Sequence, residues 1–153
     1  MEGDFKTLIS FSLGDQVFAF DSLKVRNILP YEEGNVAKVP NTKDFILGVI
    51  NLHGNIVPVT DLRVIMKIQN WKNSRDTSII VVSPEDKLES QFGIVVDLVK
   101  EVFEVENDRI MPPAFQKGMG LIESFEGTVQ ENDEFIHMID LMHVINQIES
   151  KKV

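Results

Sequence analysis

The sequence contains no cysteine, which excludes a disulfide framework, a thiolate nucleophile and a cysteine-based zinc site. It is also poor in positive charge, since 15 Lys and Arg stand against 24 Asp and Glu, for a formal net charge of -9. Such a charge repels nucleic-acid phosphates and anionic lipid surfaces unless basic residues cluster locally. The sequence shows no basic cluster, so we expect no nucleic-acid partner.

Long hydrophobic runs are missing as well. No apolar stretch approaches the roughly 18 residues of a membrane span. Met1 leads into acidic and polar Glu2, Gly3 and Asp4, without the basic and apolar regions of a secretory signal. What is present is a chain of 153 residues, 43% of them hydrophobic, enough for one continuous core. These features predict a single cytoplasmic domain, residues 1–153, with no direct membrane insertion.

The hydrophobic residues occur in short runs rich in Val, Ile and Phe, separated by Gly, Asp, Asn and Pro. This pattern is typical of β-strands. Ile9, Phe11 and Leu13 alternate with serines, so the first strand buries one face. Further strands are predicted at 17–20, 25–31, 45–52, 56–60, 78–83, 92–96, 99–105 and 135–139. The sequence therefore predicts a mostly β protein.

Two segments have helical spacing instead. Apolar residues recur at intervals of three and four from Leu62 to Ile68 and from Leu141 to Ile148. Each segment follows an aspartate, Asp61 or Asp140, whose carboxylate can accept hydrogen bonds from the free N–H groups of a first helical turn. We predict a short amphipathic helix after Thr60 and another at the C-terminus.

The two halves of the chain resemble each other. A strand-to-helix junction recurs as residues 59–62 (Val-Thr-Asp-Leu) and 138–141 (Met-Ile-Asp-Leu), and Val39-Pro40 precedes Gly48 by eight residues as Met111-Pro112 precedes Gly120. This order predicts two copies of one small β unit, packed on each other because each is too small to bury its own apolar surface.

The approximate halves are 1–70 and 76–153, which can exchange strands. The polar segment 70–76 is the candidate hinge between them. Residues 123–134 then read as an extra acidic hairpin tip in the second copy.

The segment 48–62 places His53 and Asp61 on either side of an apolar run. A general base would need a nucleophile and an orienting carboxylate, and the sequence shows no complete set. The pattern favours a turn at His53 and a helix cap at Asp61, with a small hydrolase using His53 as the weaker alternative. His137 and His143 lack the spacing that presents two nitrogens to one metal. We therefore predict packed or surface positions for them, and no metal or cofactor.

Four segments together resemble the CheW chemotaxis coupling-protein family. "FILGVINLHGNIVPVTDL" (45–62) resembles the family's Gly-Val-x-Asn-Leu-Arg-Gly motif with its following strand and Asp-Leu. The segments 11–29, 92–102 and 138–145 resemble its first hairpin, central strand pair and closing strand and helix. The resemblance implies two pseudo-symmetric, five-stranded SH3-like β-barrels on a shared core. It also implies a non-enzymatic adaptor that joins cytoplasmic chemoreceptor tips to the regulatory domain of a CheA-type histidine kinase.

The resemblance further implies two sets of contact residues and recruitment to membrane-associated receptor arrays. The kinase-binding residues would lie on one hairpin and the receptor-binding residues in a groove between the two units. The kinase-binding set is Asn51, Leu52, Gly54, Asn55 and Val57, and the receptor-binding set is Val25, Asn27, Ile28, His53 and Val102.

Two positions depart from the family pattern. The family's arginine in Asn-Leu-Arg-Gly is His53, and the glutamate that accompanies it is Asn27. Losing both charges together is physically coherent, because losing one alone would leave its partner uncompensated. We hypothesise a His53–Asn27 hydrogen bond in place of the ion pair. The departure also leaves open a CheW-like module that serves another pathway, such as surface motility.

Overall fold

The computed structural model describes residues 4–85, 90–112 and 125–150. These residues form mostly β structure with two short α-helices, as the sequence predicts. The strands are β1 (Phe5–Leu13), β2 (Gln16–Asp21), β3 (Val25–Pro30), β4 (Ile46–Leu52), β5 (Asn55–Asp61), β6 (Ser78–Val82), β7 (Phe92–Val96), β8 (Leu98–Glu106), β9 (Phe125–Glu131) and β10 (Glu134–Ile139). The helices are α1 (Leu62–Ile65) and α2 (Leu141–Ser150).

The strands form two five-stranded sheets. The first sheet has the order β8-β1-β2-β10-β9 and the second has the order β3-β6-β7-β5-β4. The second sheet is continuous in sequence, whereas the first takes strands from both ends of the chain. Among the described strands, the chain therefore crosses between the sheets twice, from β2 to β3 and from β7 to β8. The segment 70–76 joins α1 to β6 and so connects elements on the side of the second sheet.

The hairpins β4–β5 and β9–β10 are equivalent in their pairing. Gly48 lies opposite Val59 in one hairpin, and Gly127 lies opposite Met138 in the other. Each hairpin's second strand then runs parallel to a strand of its own sheet, β5 beside β7 and β10 beside β2. The residue equivalent to Gly48 is therefore Gly127, whereas Gly120, the predicted equivalent, lies outside the described residues.

The strand β9 corrects the interpretation of residues 123–134 as an acidic hairpin tip. Residues 125–131 form a regular strand, and the tip consists of Asn132 and Asp133. The acidic residues of this segment suggested an exposed hairpin tip, but the middle of the strand is buried. Glu126 is exposed, whereas Thr128 and Val129 are buried. Residues 123 and 124 lie outside the described part of the chain.

The largest buried cluster is shared by both sheets and both helices. Its members are Phe11, Leu13, Phe18 and Phe20 from the first sheet, Ile80, Val82, Ile94 and Val96 from the second, and Phe45, Leu62, Ile139, Leu141, Val144, Ile145 and Ile148. Two smaller clusters lie one on each sheet. The predicted shared core is thus present, and each sheet buries much of its apolar surface only against the other.

Aspartates begin both helices, as predicted. The Asp61 carboxylate accepts the N–H of Arg63 at 3.0 Å, and the Asp140 carboxylate accepts the N–H of His143 at 3.3 Å. The helix α1 is shorter than its apolar spacing indicates. It ends at Ile65, and Lys67 has a φ of 59°, which no α-helical residue adopts.

A buried arginine fixes the end of β5. Arg63 is 1% exposed, and its guanidinium donates to both carboxylate oxygens of Asp61, at 2.9 and 3.0 Å. It also donates to Asp97 at 3.0 Å and to Asn73 at 2.8 Å, and it stacks 3.9 Å from the centre of the Trp71 ring. Burial by itself lowers the pKa of Arg63, but the hydrogen bonds and charges of Asp61 and Asp97 outweigh it and raise the pKa. The arginine therefore stays cationic.

Asp97 connects the two sheets at this point. It is the single residue between β7 and β8, which lie in different sheets. One carboxylate oxygen accepts from Arg63, and the other accepts the N–H of Gly14, in the turn between β1 and β2, at 2.7 Å. The backbone N–H of Asp97 also donates to the carbonyl of Ser12 at 3.2 Å. We name the side chains of Asp61, Arg63 and Asp97 the inter-sheet ion network.

Gly48 allows β4 to lie close to the segment before it. Its φ is 146°, and an added Cβ would stand 2.2 Å from the carbonyl oxygen of Ala37. We expect Gly48→Ala to lower the free energy of unfolding by about 3 kcal/mol, because the clash is with backbone that pairs with Val49. Gly34→Ala is the control, since a Cβ there meets nothing within 4 Å. Urea denaturation measures both, and equal stabilities of the two variants would contradict the expectation.

Removing the side chain of Arg63 would leave the buried carboxylate of Asp61 unpaired. We expect Arg63→Met to lower the free energy of unfolding by about 3–5 kcal/mol, because Asp61 is 1% exposed. The double variant Arg63→Met/Asp61→Asn should recover part of this loss, since it removes the unpaired charge. Arg109→Met is the control, because its ion pair with Glu131 is half exposed and should contribute less than about 1 kcal/mol. Equal losses for Arg63→Met and Arg109→Met would refute this role of the arginine.

Candidate functional site

The hairpin between β4 and β5 ends in a tight two-residue turn. His53 and Gly54 have φ values of 53° and 88°, and two consecutive positive φ angles are typical of a type I′ turn. The side-chain oxygen of Asn51 accepts the N–H of Gly54 at 2.9 Å and holds the turn closed. His is among the residues that tolerate this backbone region better than most. His53 therefore shapes an exposed, rigid turn.

Exposure alternates along the strand that follows the turn. Ile56 is 66% exposed, whereas Val57 is 1% exposed and packs in the cluster on the second sheet. Val57 thus faces the core and offers no surface to a partner, which corrects its place among the predicted kinase contacts. The alternation of side chains on a strand could have identified Ile56 instead, since Val57 and Val59 share the inner face. Of the other predicted hairpin residues, Asn51 and Gly54 are exposed, and Leu52 and Asn55 are half-buried.

The strands β3 and β8 carry the predicted receptor-binding residues apart from His53. Each strand begins directly after the chain has crossed from one sheet to the other. Val25 and Val99, near the starts of these strands, pack against the shared core. Ile28 and Val102 are 44% and 61% exposed. We name Val25, Ile28 and Val102 the crossover strip, after the two strands that carry them, each of which begins where the chain has crossed between the sheets.

The hypothesised bond between His53 and Asn27 is absent from the hydrogen bonds of the described residues. Asn27 is half-buried in β3, opposite Val81, and His53 lies at the tip of the β4–β5 hairpin. The strands β3 and β4 are the two edges of the second sheet. These two residues therefore do not replace the family's ion pair with a direct contact in this conformation.

The hydrolase alternative finds no support at His53. Its proposed carboxylate partner, Asp61, is buried and receives hydrogen bonds from Arg63, while His53 is exposed on the turn. Asp61 caps a helix, as the favoured interpretation predicts, and it also forms an ion pair with Arg63, which the sequence did not predict. Among the described residues no group of three His, Asp or Glu side chains could hold a metal ion.

A groove of about 420 Å³ lies beside the hairpin. Its walls come from the end of β3, from β4 and from the segment between them, including Leu29, Pro30, Ile50 and Asn51. In the same region Ala37 pairs with Val49 through two backbone hydrogen bonds of 2.9 Å. The edge of β4 is thus partly covered, and the exposed part of the hairpin is its tip and Ile56.

His137 occupies a packed position on β10. Its ring lies 5.3 Å from the Phe125 ring and 5.9 Å from the Phe18 ring, centroid to centroid. Its Nδ1 is 3.3 Å from the Thr128 hydroxyl. Burial lowers the pKa of His137 below its ordinary value of 6.5. This packed position agrees with the prediction of a packed or surface position for His137.

The lowered pKa of His137 predicts a loss of stability in mild acid. The unfolded chain takes up a proton as the pH falls through about 6.5, while the folded protein resists it, so stability present above that pH is lost below it. We expect the free energy of unfolding to fall between about pH 7 and pH 5 and to fall less steeply in His137→Gln. Urea denaturation across this pH range tests it, and parallel slopes for His137→Gln and the parent would contradict it.

No helix among the described residues is long and apolar enough to cross a membrane.

Comparison with known proteins identifies the family. The CheW-like domain matches residues 7–149. The chain is 39% identical over 102 residues to the chemotaxis protein CheW of Klebsiella aerogenes, covering 67% of this chain and 58% of the relative. It is 28% identical over 145 residues to the chemotaxis protein CheW of Thermotoga maritima, covering 95% of this chain and 91% of the relative.

A solved structure agrees with these relatives. The scaffolding protein TtCheW from Thermoanaerobacter tengcongensis superposes with a TM-score of 0.78 at 32% identity, over 89% of this chain and 84% of that one. The homologues and this structural neighbour indicate a non-enzymatic scaffold or adaptor. With the family match covering nearly its whole length, the chain belongs to the CheW-like family of chemotaxis adaptor proteins.

Proposed function

We propose that this protein couples the cytoplasmic tips of chemoreceptors to the regulatory domain of a CheA-type histidine kinase. It performs no catalysis and acts by holding two docking surfaces in a fixed geometry. The observation that carries the proposal is the exposure of large apolar side chains at two separate places on one rigid frame, at Ile56 on the hairpin and at Val102 on the crossover strip.

The β4–β5 hairpin is the proposed kinase surface. Ile56 supplies an exposed apolar centre, and the polar side chains of Asn51, opposite it, and Asn55, before it, lie beside it with the turn residue Gly54, which matches the apolar centre and polar rim of protein interfaces. The turn is held by the Asn51–Gly54 hydrogen bond, so little conformational freedom is lost on binding. Leu52 lies half-buried at the end of β4 and supports the tip.

The crossover strip is the proposed receptor surface. A receptor tip presents helices, and an apolar strip can receive the apolar face of such a helix. Val25, Ile28 and Val102 provide the strip, Asn27 lies on the same strand as Val25 and Ile28, and His53 at the tip of the β4–β5 hairpin is the remaining proposed receptor contact. Because Asn27 and His53 stand where the family resemblance implies opposite charges, the contact depends here mainly on apolar burial.

The proposal includes the architecture and the location of the protein. Each sheet closes into an SH3-like barrel, supported by the bridges Ala37–Val49 and Met111–Thr128 beside equivalent strands of the two hairpins. Residues 1–153 act as one domain, because the two sheets share their largest core. The protein is cytoplasmic and is recruited to receptor arrays at the membrane through its receptor and kinase contacts.

A charge at the centre of the hairpin surface tests the kinase contact. We expect Ile56→Glu to weaken binding to the regulatory domain of a CheA-type kinase at least about tenfold, because it buries an unpaired carboxylate in an apolar contact. Phe135→Glu is the matched control, since Phe135 is 57% exposed at the equivalent position of the β9–β10 hairpin, and its affinity should stay within about twofold of the parent. Isothermal titration calorimetry measures each Kd.

Two variants, Val102→Glu and Ile56→Glu, separate the two surfaces when each is titrated against a receptor cytoplasmic fragment and against the kinase regulatory domain. Val102→Glu should weaken receptor binding and leave the kinase affinity unchanged, whereas Ile56→Glu should do the reverse. Loss of kinase binding by Phe135→Glu but not by Ile56→Glu would move the kinase surface to the other hairpin. A parent protein that binds neither partner would overturn the proposed function in favour of a module for another pathway.

A further inference from the structure

The inter-sheet ion network joins the two strands that carry the proposed docking surfaces. Asp61 is the last residue of β5, the strand that starts at the docking hairpin, and Asp97 immediately precedes β8, the strand that carries Val102. Arg63 bonds to both aspartates. The side chain of Arg63 therefore connects the end of β5, the second strand of the docking hairpin, to the start of β8, the strand that carries Val102.

The carboxylate of Asp97 also connects the sheets to each other. One oxygen accepts from Arg63, in the helix that follows β5 of the second sheet, and the other accepts from Gly14, in the turn between β1 and β2 of the first sheet. The Gly14 turn packs closely on the segment after α1, since a Cβ there would stand 3.1 Å from the Ile68 side chain. A displacement of β8 relative to β5 must therefore stretch or rearrange these contacts.

The network resists such rearrangement. Arg63 uses its guanidinium in four hydrogen bonds, of the five N–H groups that the group carries. It is 1% exposed, so a lost bond would leave charge without water or a partner, at high energetic cost. We expect the three side chains to move together instead of breaking one bond at a time.

Three other ion pairs do not connect the two surfaces. Lys6 with Asp21 and Lys100 with Glu134 each join strands within the first sheet, and Arg109 with Glu131 lies beside β9 of the same sheet. Their side chains are also partly exposed, so water can replace either partner. The inter-sheet ion network is distinct from these three pairs in its burial and in the strands that it joins.

We propose that Arg63 and Asp97 are positioning residues that couple the two docking surfaces. Occupation of the crossover strip by a receptor shifts β8 and, through Asp97 and Arg63, the end of β5 and the kinase hairpin. This inference rests on the proposed function, because it requires both partners to bind where that proposal places them.

The variant Asp97→Asn separates the coupling from the docking. Asparagine has one acceptor oxygen in place of two, so it can bond to Arg63 or to Gly14, and its NH₂ group faces a donor on the other side. One sheet is thus released from the network. The side chain of Asp97 is 21% exposed, so water can reach the released group and the protein should fold. Arg63→Lys is a second variant, with a single nitrogen in place of three.

The experiment measures the kinase affinity with and without the receptor. The Kd for the kinase regulatory domain is determined alone and with a saturating receptor cytoplasmic fragment, and the ratio of the two values is the coupling. In the parent we expect a ratio of about fivefold or more. In Asp97→Asn the ratio should fall to about one, while each separate Kd stays within about twofold of the parent. Glu134→Gln is the control carboxylate-to-amide change and should keep the parent ratio.

The single tryptophan gives a second measurement. Trp71 stacks on Arg63, so a movement of the network alters the surroundings of its indole ring. Titration with a receptor fragment that lacks tryptophan should change the Trp71 emission of the parent protein. The same titration should leave the emission of Asp97→Asn unchanged, although the receptor binds.

The outcomes distinguish this inference from the proposed function. A merely structural role would weaken both separate affinities and the stability to urea together. A ratio in Asp97→Asn and Arg63→Lys equal to that of the parent would overturn the inference, and so would a parent ratio of one with both partners bound. In those cases the proposed function stands. A parent that binds neither partner overturns the proposed function, and the inference with it.

Discussion

The buried charge of Arg63 constrains the whole architecture. A guanidinium removed from water must be surrounded by acceptors, and this one gathers Asp61, Asp97 and Asn73 from three separate segments. Those segments are the end of a strand of the second sheet, the crossover to the first sheet and the connection before β6. Satisfying the arginine thus fixes one relative position of the two sheets, and in that position their apolar faces meet in the shared core.

The ion network also breaks the symmetry of the molecule. The two hairpins have matching registers, and each is followed by an aspartate that caps a helix. Met142 stands two residues after Asp140, where the other copy has Arg63 two residues after Asp61. The second copy therefore has the cap without the arginine and packs a longer amphipathic helix, α2, on the core. Similar backbones thus support unequal surfaces, which allows the β4–β5 hairpin to bind a partner that the β9–β10 hairpin does not bind.

Local features of the fold could be predicted from the sequence, and long-range ones could not. Strand alternation and the helix-capping aspartates depend on neighbouring residues, so their patterns are visible in the chain. The pairing of β1 with β8 joins residues about as far apart as Phe5 and Glu106, and no local pattern reports it. The burial of Arg63 was missed because arginine is mostly exposed. The nearest available signal was its position two residues after a capping aspartate.

An adaptor must expose apolar surface without binding its own copies, and the charge pattern of this chain addresses that requirement. Val102 lies in a strand whose other exposed residues include Lys100, Glu101 and Glu104, and Ile28 follows the exposed Arg26 by two positions. Charged side chains on such edge strands oppose pairing with another strand. The overall charge of -9 adds a repulsion between copies. The apolar strips are therefore narrow and bordered by charge, so a partner must match both the apolar centre and the charged margins.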